Sequence, residues 1–181
     1  DSATGTLTVS RDFTSIPWSS YYQRAEKVVI GNEVTFLPDN AFYEFTSLKE
    51  VTMGSGLTTI GNSAFYGCTA LERVRFGNAV TTLGDEAFSC CTSLKTVKIG
   101  NGVKEIGQYA FDVCRSLKSV IIPSGVTSIG DLAFYNCNSL TTINIPGSIT
   151  KIARGMFSNC NLLTSLTIPN GVNQIADGAF S

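Results

Sequence analysis

The stretch that decides the fold is residues 94–116, LKTVKIGNGVKEIGQYAFDVCRS, because its apolar positions recur at a step of 23 residues along most of the chain. One phenylalanine column marks this period: Phe42, Phe65, Phe88, Phe111, Phe134, Phe157 and Phe180. A fixed period of roughly 20–30 residues is typical of a solenoid, in which each repeat buries its apolar side against its neighbours. We therefore predict seven stacked repeats of 23 residues.

Two apolar patterns within each repeat predict two short extended segments. Leu94, Val97 and Ile99 end in period-2 alternation, which is typical of a strand with Val and Ile facing inward. Equivalent strands stacked in register form a parallel sheet, and a Gly or Pro column then ends each strand. Val103 and Ile106 predict a second extended segment on the opposite side of the solenoid.

An acidic or amide column follows the second segment and precedes an Ala-Phe pair. Its members are Asp39, Asn62, Asp85, Asp131 and Asp177. Asp or Asn in this position is typical of an N-cap, so we expect a single helical turn in each repeat. Because the column recurs along the whole solenoid, we favour capping over the alternative that these carboxylates are catalytic acids.

Five of the six cysteines share one column, which predicts a buried ladder with about 4.8 Å between neighbours. The column contains Cys68, Cys91, Cys114, Cys137 and Cys160. Phe45 fills the same position in the first repeat, so the requirement is apolar bulk. A line of thiols cannot surround tetrahedral zinc, whereas a disulfide between adjacent repeats stays open as the alternative. Cys90 lies outside the column and is the expected exposed, reactive thiol.

The composite pattern L-x-x-V-x-I-[GP]-x-x-V-x-x-I-G-[ND]-x-A-F-x-x-C resembles the BspA-like leucine-rich repeat family, also called the Treponema-type repeat. The resemblance covers residues 25–181, with Phe45 for Cys and Met156 for Ala as departures. It implies a right-handed leucine-rich-repeat solenoid that is mainly β, with a parallel sheet on the concave face. It also implies an extracellular or bacterial cell-surface location and adhesion to host matrix proteins or other cells.

The two ends lead to different expectations. Residues 1–24 are expected to form an N-terminal cap, because Trp18 and Tyr22 fall one step before the columns of Ala41 and Phe45. The alternative is a sugar-stacking platform of Trp18, Tyr21 and Tyr22. At the other end, the sequence stops inside a repeat after Phe180. We therefore expect a truncated solenoid whose last apolar layer is open to an end-to-end contact.

Composition argues against catalysis by this segment. The chain has no histidine, which removes the commonest general base and the usual activator of Ser or Cys nucleophiles. Glu50 and Glu72 are the nearest pair of carboxylates on the sheet face, and each has basic neighbours. We predict no catalytic residues, no cofactor and no metal ion. No apolar run approaches the length of a membrane helix, so we expect no membrane insertion of this segment.

The outward columns of the first sheet are the positions that differ between repeats. They contain seven basic and three acidic residues, a net charge of +4, although the whole chain has a net charge of −1. The basic residues concentrate at Arg73, Arg75, Lys95, Lys98 and Lys118, which we predict to bind an anionic partner. An acidic protein segment or a sulfated glycan fits this charge; nucleic acid does not, because no exposed aromatic residues interleave with the patch. A solvated face without a specific role is the alternative.

These observations predict an adhesion or protein-binding module that contacts a host matrix protein, a cell-surface protein or an anionic glycan. The alternative is a structural spacer, or a targeting domain of a larger surface protein, with no ligand of its own.

Overall fold

The computed structural model describes residues 5–14 and 21–181, which coil into a solenoid of short parallel strands. Strand partners are 23 residues apart along the repeats, so that Lys27 pairs with Glu50 and Glu50 with Arg73. Each turn of the solenoid, here called a rung, contributes one strand to each of two sides, except that the last rung has a strand, Gln174–Ile175, on one side only. The strands are β1 (Thr6–Val9), β2 (Lys27–Ile30), β3 (Phe36–Leu37), β4 (Glu50–Thr52), β5 (Thr59–Ile60), β6 (Arg73–Arg75), β7 (Thr82–Leu83), β8 (Thr96–Lys98), β9 (Glu105–Ile106), β10 (Ser119–Ile121), β11 (Ser128–Ile129), β12 (Thr142–Ile143), β13 (Lys151–Ile152) and β14 (Gln174–Ile175).

The front sheet is the predicted parallel sheet, and it is divided into two pieces. Strands β1, β2, β4 and β6 form one ladder, and strands β8, β10 and β12 form another. The rear sheet contains β3, β5, β7, β9 and β11 in one continuous ladder, followed by the separate pair β13 and β14. The two predicted extended segments are therefore confirmed, and the rear sheet runs without interruption behind the division of the front sheet.

The phenylalanine column forms a continuous stack through the core. Consecutive rings from Phe42 to Phe180 lie 5.1–5.9 Å apart, and their planes differ by at most 16°. The rings of Phe42, Phe65, Phe88, Phe111 and Phe134 are fully buried. Offset stacking of this kind stabilises aromatic pairs beyond the effect of buried area alone. The inward Val and Ile residues of the front strands pack on one side of this stack.

The predicted single helical turn is wrong: the described residues at this corner form consecutive turns and no α-helix. Residues in two columns adopt a left-handed backbone, with φ of 51–68°, which interrupts any helical run. One column contains Asn40, Ser63, Glu86, Tyr109, Leu132, Gly155 and Gly178; the other contains Glu44, Gly67, Cys90, Val113, Asn136 and Asn159. Backbone N–H groups here donate to the next rung, as Phe42 does to Ala64 at 2.7 Å.

The acidic and amide column also differs from the expected N-cap. The Asp39 carboxylate accepts the backbone N–H of Asn62 at 2.7 Å, and the Asn62 side chain accepts that of Asp85 at 2.8 Å. Asp85 and Asp131 repeat the arrangement with Gln108 and Arg154. These side chains satisfy backbone donors of the following rung, so they join rungs to one another instead of capping a helix.

The chain differs from the central rungs near both ends of the described residues. At the N-terminal end, β1 adds a parallel strand to β2, while Tyr21 and Tyr22 are more than two-fifths exposed and do not continue the buried columns. Trp18 lies outside the described residues, so its assignment to a cap or a sugar platform stays a prediction. At the other end, Ile175 and Phe180 are about half exposed, and an end-to-end contact there also stays a prediction.

Candidate functional site: the charged face of the front sheet

The structure places all five predicted basic residues on the outward side of the front sheet. Arg73 and Arg75 lie in β6, Lys98 lies in β8, and Lys95 and Lys118 immediately precede β8 and β10. All five are exposed, and within the strands the exposure of Arg73, Arg75 and Lys98 follows from the alternation of inward and outward positions. We call this surface the charged face; it contains Glu26, Lys27, Lys49, Glu50, Glu72, Arg73, Arg75, Lys95, Lys98 and Lys118.

Glu50 is the centre of an ion-pair network on the charged face. Its carboxylate lies 3.4 Å from Arg73 and 3.7 Å from both Lys27 and Arg75. The Glu50 side chain is only 19% exposed, so three cations share one shielded carboxylate. Glu72 similarly contacts Arg73 and Lys95, at 3.5 and 3.2 Å. The acids of this face therefore neutralise their basic neighbours, as the sequence predicts for Glu50 and Glu72.

Lys98 and Lys118 differ from the other three predicted residues. No carboxylate of the described residues lies within ion-pair distance of either ammonium group, and both side chains are exposed. Unlike Arg73, Arg75 and Lys95, they are not held by Glu50 or Glu72. The unpaired positive charge of the face is therefore centred on β8 and the start of β10.

The division of the front sheet opens a crevice beside Lys98. Met53 donates its N–H to the Arg75 carbonyl at 3.0 Å, and Ile99 donates to the Ile121 carbonyl at 3.0 Å. In the described chain no equivalent bond joins Phe76 to Lys98, and no ladder joins β6 to β8. The result is a crevice of about 330 Å³, here called the seam. Its lining residues are Val74, Arg75, Phe76, Asn78, Lys98, Ile99, Gly100 and Asn101.

Phe76 is the functional candidate that sequence reasoning missed. It stands in the inward column where the other rungs have Ile or Met, and its ring makes an edge contact with Phe88 at 5.7 Å. Phe76 and Val74 are half-buried, whereas Val51 and Val97 in the flanking rungs are buried. The sequence does show that Phe76 is larger than the other residues of this column, and that difference could have indicated a local change in the sheet.

A second crevice, of about 530 Å³, lies beyond β12 on the same side of the solenoid. It is lined by Thr and Ser hydroxyls together with Ile143, Leu166 and Pro169, and it contains no charged side chain. The C-terminal part of this side is therefore neutral and lined by Ser and Thr. Of these two openings, only the seam is lined by charged side chains, those of Arg75 and Lys98.

The cysteines of the column pack in the core, as predicted. Each of its five thiols is free, buried and 3.2–3.3 Å from the carbonyl of a phenylalanine in the preceding rung. Burial raises the pKa of Cys91, Cys114 and Cys137 well above the ordinary range and that of Cys160 to about 11. These thiols are therefore protonated at neutral pH and poor nucleophiles. Cys90 is only partly buried.

A polar cluster lies at the turns around Cys90, away from the charged face. A hydrogen bond with Cys90 is the main cause that raises the pKa of Tyr66 to about 12. Burial is the main cause that raises the pKa of Asp112 to about 6, and one Asp112 carboxylate oxygen has no hydrogen-bond partner. Within residues 5–14 and 21–181, no group of His, Cys, Asp and Glu side chains is arranged to hold a metal ion. No helix in the same residues is long and apolar enough to cross a membrane.

Comparison with known proteins identifies the repeat. A family model described as a BspA type leucine rich repeat region matches residues 14–112 and 91–181. A leucine-rich repeat protein from Bacteroides ovatus is 34% identical, with a TM-score of 0.79 over 82% of this chain. The leucine rich repeat protein of T. pallidum is 28% identical, with a TM-score of 0.81 over 96% of this chain and 79% of its own. A protein of the same class from Eubacterium ventriosum shares the fold at 23% identity, with a TM-score of 0.70 over 97% of this chain and 58% of its own.

The match to the Bacteroides ovatus protein covers 39% of that protein, so this chain spans well under half of its length. Among curated proteins, none matches the sequence. The family model, the solenoid of 23-residue rungs and the shared columns agree with one another. The chain belongs to the BspA-type leucine-rich repeat family.

Proposed function

We propose that this chain is a non-enzymatic adhesion module, secreted or displayed on a bacterial cell surface, that binds a host matrix or cell-surface protein through the charged face. The observation that carries the proposal is the pairing pattern of that face. Its acids hold Arg73, Arg75 and Lys95, while Lys98 and Lys118 remain exposed and Lys98 lies at the edge of a crevice. A partner with acidic groups can bind these lysines without displacing an internal ion pair.

The scaffold supports this role. The inward columns barely change between rungs, whereas the outward columns carry different residues in each rung, so variation is concentrated where a partner can reach it. Leucine-rich repeat solenoids serve as interaction scaffolds with extended surfaces of this kind. The resemblance to a family of bacterial surface proteins supports an extracellular location.

The experiment measures binding of the purified chain to immobilised host matrix proteins by surface plasmon resonance, with a glycan array in parallel. The test variant is Arg75→Glu with Lys98→Glu, and the control is Lys104→Glu with Lys151→Glu, which makes the same charge change away from the charged face. We expect the first variant to lose binding and salt dependence while the control retains both, because exposed charges steer association and are screened by salt. Equal binding by both variants contradicts the proposal.

The alternative function is a spacer or targeting domain without its own ligand. The continuous stack of phenylalanine rings favours it, since each rung adds a similar length to the solenoid. Absence of binding to every matrix protein and glycan tested is the result expected of a spacer.

A further inference from the structure

The seam has a composition that is unusual for an exposed sheet surface. Val74, Phe76 and Ile99 give it an apolar floor, and Arg75 and Lys98 stand at its two sides. Asn78 and Asn101 add amide groups at one end. An apolar depression with a few convergent polar groups is the usual form of a binding site.

The opening is local and coincides with one change in the repeat. The rear strands β7 and β9 pair directly behind the seam, with Thr82 opposite Glu105, so the rungs are in register on that side. Only the front side is unpaired, at the rung where Phe76 occupies a column of Ile and Met residues. The ring of Phe76 packs against Phe88, and Val74 in the same strand region is half-buried, so the larger side chain of this column lies at the opening.

Apolar surface continues from the seam along β10. Ile121, which pairs with Lys98 across the β8 and β10 ladder, is 56% exposed and is among the most exposed large apolar residues described. Lys98 is therefore flanked by the seam on one side and by Ile121 on the other. An alternating arrangement of charge and apolar surface fits an extended polypeptide whose side chains differ from one residue to the next.

A sulfated glycan fits this arrangement less well. Its sulfates would satisfy the lysines, but it has no group that fills an apolar crevice or covers Ile121. Sugar rings stack on exposed aromatic faces, whereas Phe76 is half-buried and in edge contact with Phe88, with ring planes 65° apart. The observations therefore favour a polypeptide.

We propose that the seam binds one apolar side chain of an acidic, extended segment of the partner protein, whose carboxylates pair with Lys98, Lys118 and Arg75. This rests on the proposed function, because it specifies which part of a protein partner the charged face recognises. The Glu50 carboxylate competes for Arg75 at 3.7 Å, so it weakens the bound state.

The test uses fluorescence polarisation with two labelled synthetic peptides of equal charge. Both consist of Asp, Glu and Ser; one carries a single central Phe and the other has Ser in its place. We expect the Phe peptide to bind the wild-type chain about tenfold more tightly, because its ring leaves water for the apolar floor. A heparin-derived oligosaccharide is the third probe.

Three variants and two controls locate the site. Phe76→Ile restores the residue type of the other rungs and should close the seam, so that both peptides bind equally weakly. Lys98→Glu should abolish binding of both peptides, and Glu50→Gln should strengthen both by releasing Arg75. Met53→Ile makes the same kind of change in the adjacent rung, and Lys151→Glu the same charge change on the rear sheet; both should bind like wild type.

The outcomes separate the two proposals. Equal affinity of the two peptides for the wild-type chain overturns the seam proposal, and loss of that binding in Lys98→Glu would leave the charged face as the binding surface. Binding of the oligosaccharide alone overturns the seam proposal in favour of a glycan. If Phe76→Ile does not fold, the comparison of the two peptides on the wild-type chain still decides. Failure of both peptides to bind, while a matrix protein binds through Lys98, overturns only the seam proposal.

Discussion

Replacement of Phe111 by Ala tests whether the phenylalanine stack stabilises the solenoid. Phe111 is fully buried and lies between two parallel rings, 5.4 Å from Phe88 and 5.6 Å from Phe134. Truncation of a buried Phe costs about 3–5 kcal/mol, depending on how far the surroundings collapse into the cavity. Collapse is restricted here, because the Phe111 carbonyl is held by the Cys137 thiol and its N–H by the Ala133 carbonyl. We therefore expect a loss in free energy of unfolding near 4–5 kcal/mol.

The matched control is Phe180→Ala. Phe180 belongs to the same column, but it is 49% exposed and stacks on a single neighbour, Phe157, at 5.7 Å. Because much less apolar surface leaves water at this position, we expect a loss of about 1–2 kcal/mol. Because both variants replace Phe by Ala, the difference between their losses reports the effect of burial and of stacking on two neighbours instead of one.

The assay is urea unfolding followed by far-UV circular dichroism, fitted for the free energy of unfolding and its dependence on urea. Domains of this kind are stable by only about 5–15 kcal/mol, so the Phe111→Ala loss is a large fraction of the total. Each rung contacts only its neighbours, and a cavity in a central rung should also separate unfolding into two transitions. An equal or smaller loss for Phe111→Ala than for Phe180→Ala would refute the argument that the stack is the source of this stability.

Three further predictions concern the thiols, Asp112 and a corner glycine. At about pH 8 the native chain should react with a thiol reagent at Cys90 alone, because the five column thiols are buried and burial raises the pKa of Cys91, Cys114 and Cys137, and that of Cys160 to about 11. Rapid labelling of Cys90→Ser would contradict this. Asp112→Asn should raise the melting temperature above about pH 6 and have no effect below about pH 4. The pKa of Asp112 is about 6 in the folded chain against an ordinary 3.8, so the buried carboxylate destabilises the fold only as pH rises through that range. A higher melting temperature at both pH values would assign the effect to another cause. Gly107→Ala should cost about 1–3 kcal/mol, because a Cβ there would lie 2.6 Å from the Asp85 nitrogen. The reverse change Ala153→Gly in the same column should cost about 1 kcal/mol. An unchanged free energy of unfolding for Gly107→Ala would contradict the steric argument.

The columns of the sequence predicted the stack well, because a solenoid repeats one local environment. Phe111, Leu94 and Val97 are buried for the same reason as their counterparts in the other rungs, so a periodic apolar residue identifies a core position directly. The same logic correctly assigned the Cys column to packing, since Phe45 replaces Cys without a change in burial.

The corner of each rung could not be predicted in the same way. Asp39 before an Ala-Phe pair has the sequence of an N-cap, yet its carboxylate binds the N–H of Asn62 in the next rung. The left-handed positions beside it hold Asn40, Ser63 and Glu86, which share no residue type that marks a positive φ. The Asp39 carboxylate could accept a backbone N–H of its own rung or one of the next rung. The stacking of rungs decides between them, and the sequence of a single repeat does not show that stacking.

The charged face was predicted in composition but not in pairing. Columns place Lys95 beside Glu72, and their ion pair follows from the 23-residue step. The contact of Arg75 with Glu50 is diagonal, and the seam lies where the Phe76 ring packs edge-on against Phe88. Side-chain reach and local packing determine these details, and the order of residues alone does not contain them.

The hydrogen bonds that link residues one repeat apart have a consequence for how such a chain can change in length. Asp39 bonds to Asn62, Asn62 to Asp85 and Asp85 to Gln108, so every link has the same geometry and the same step of 23 residues. Loss or duplication of one whole repeat within a gene would therefore reconnect equivalent donors and acceptors and preserve the core. A change by any other number of residues would place polar side chains in apolar columns. Relatives can thus diverge in length by whole rungs while conserving the architecture of each one.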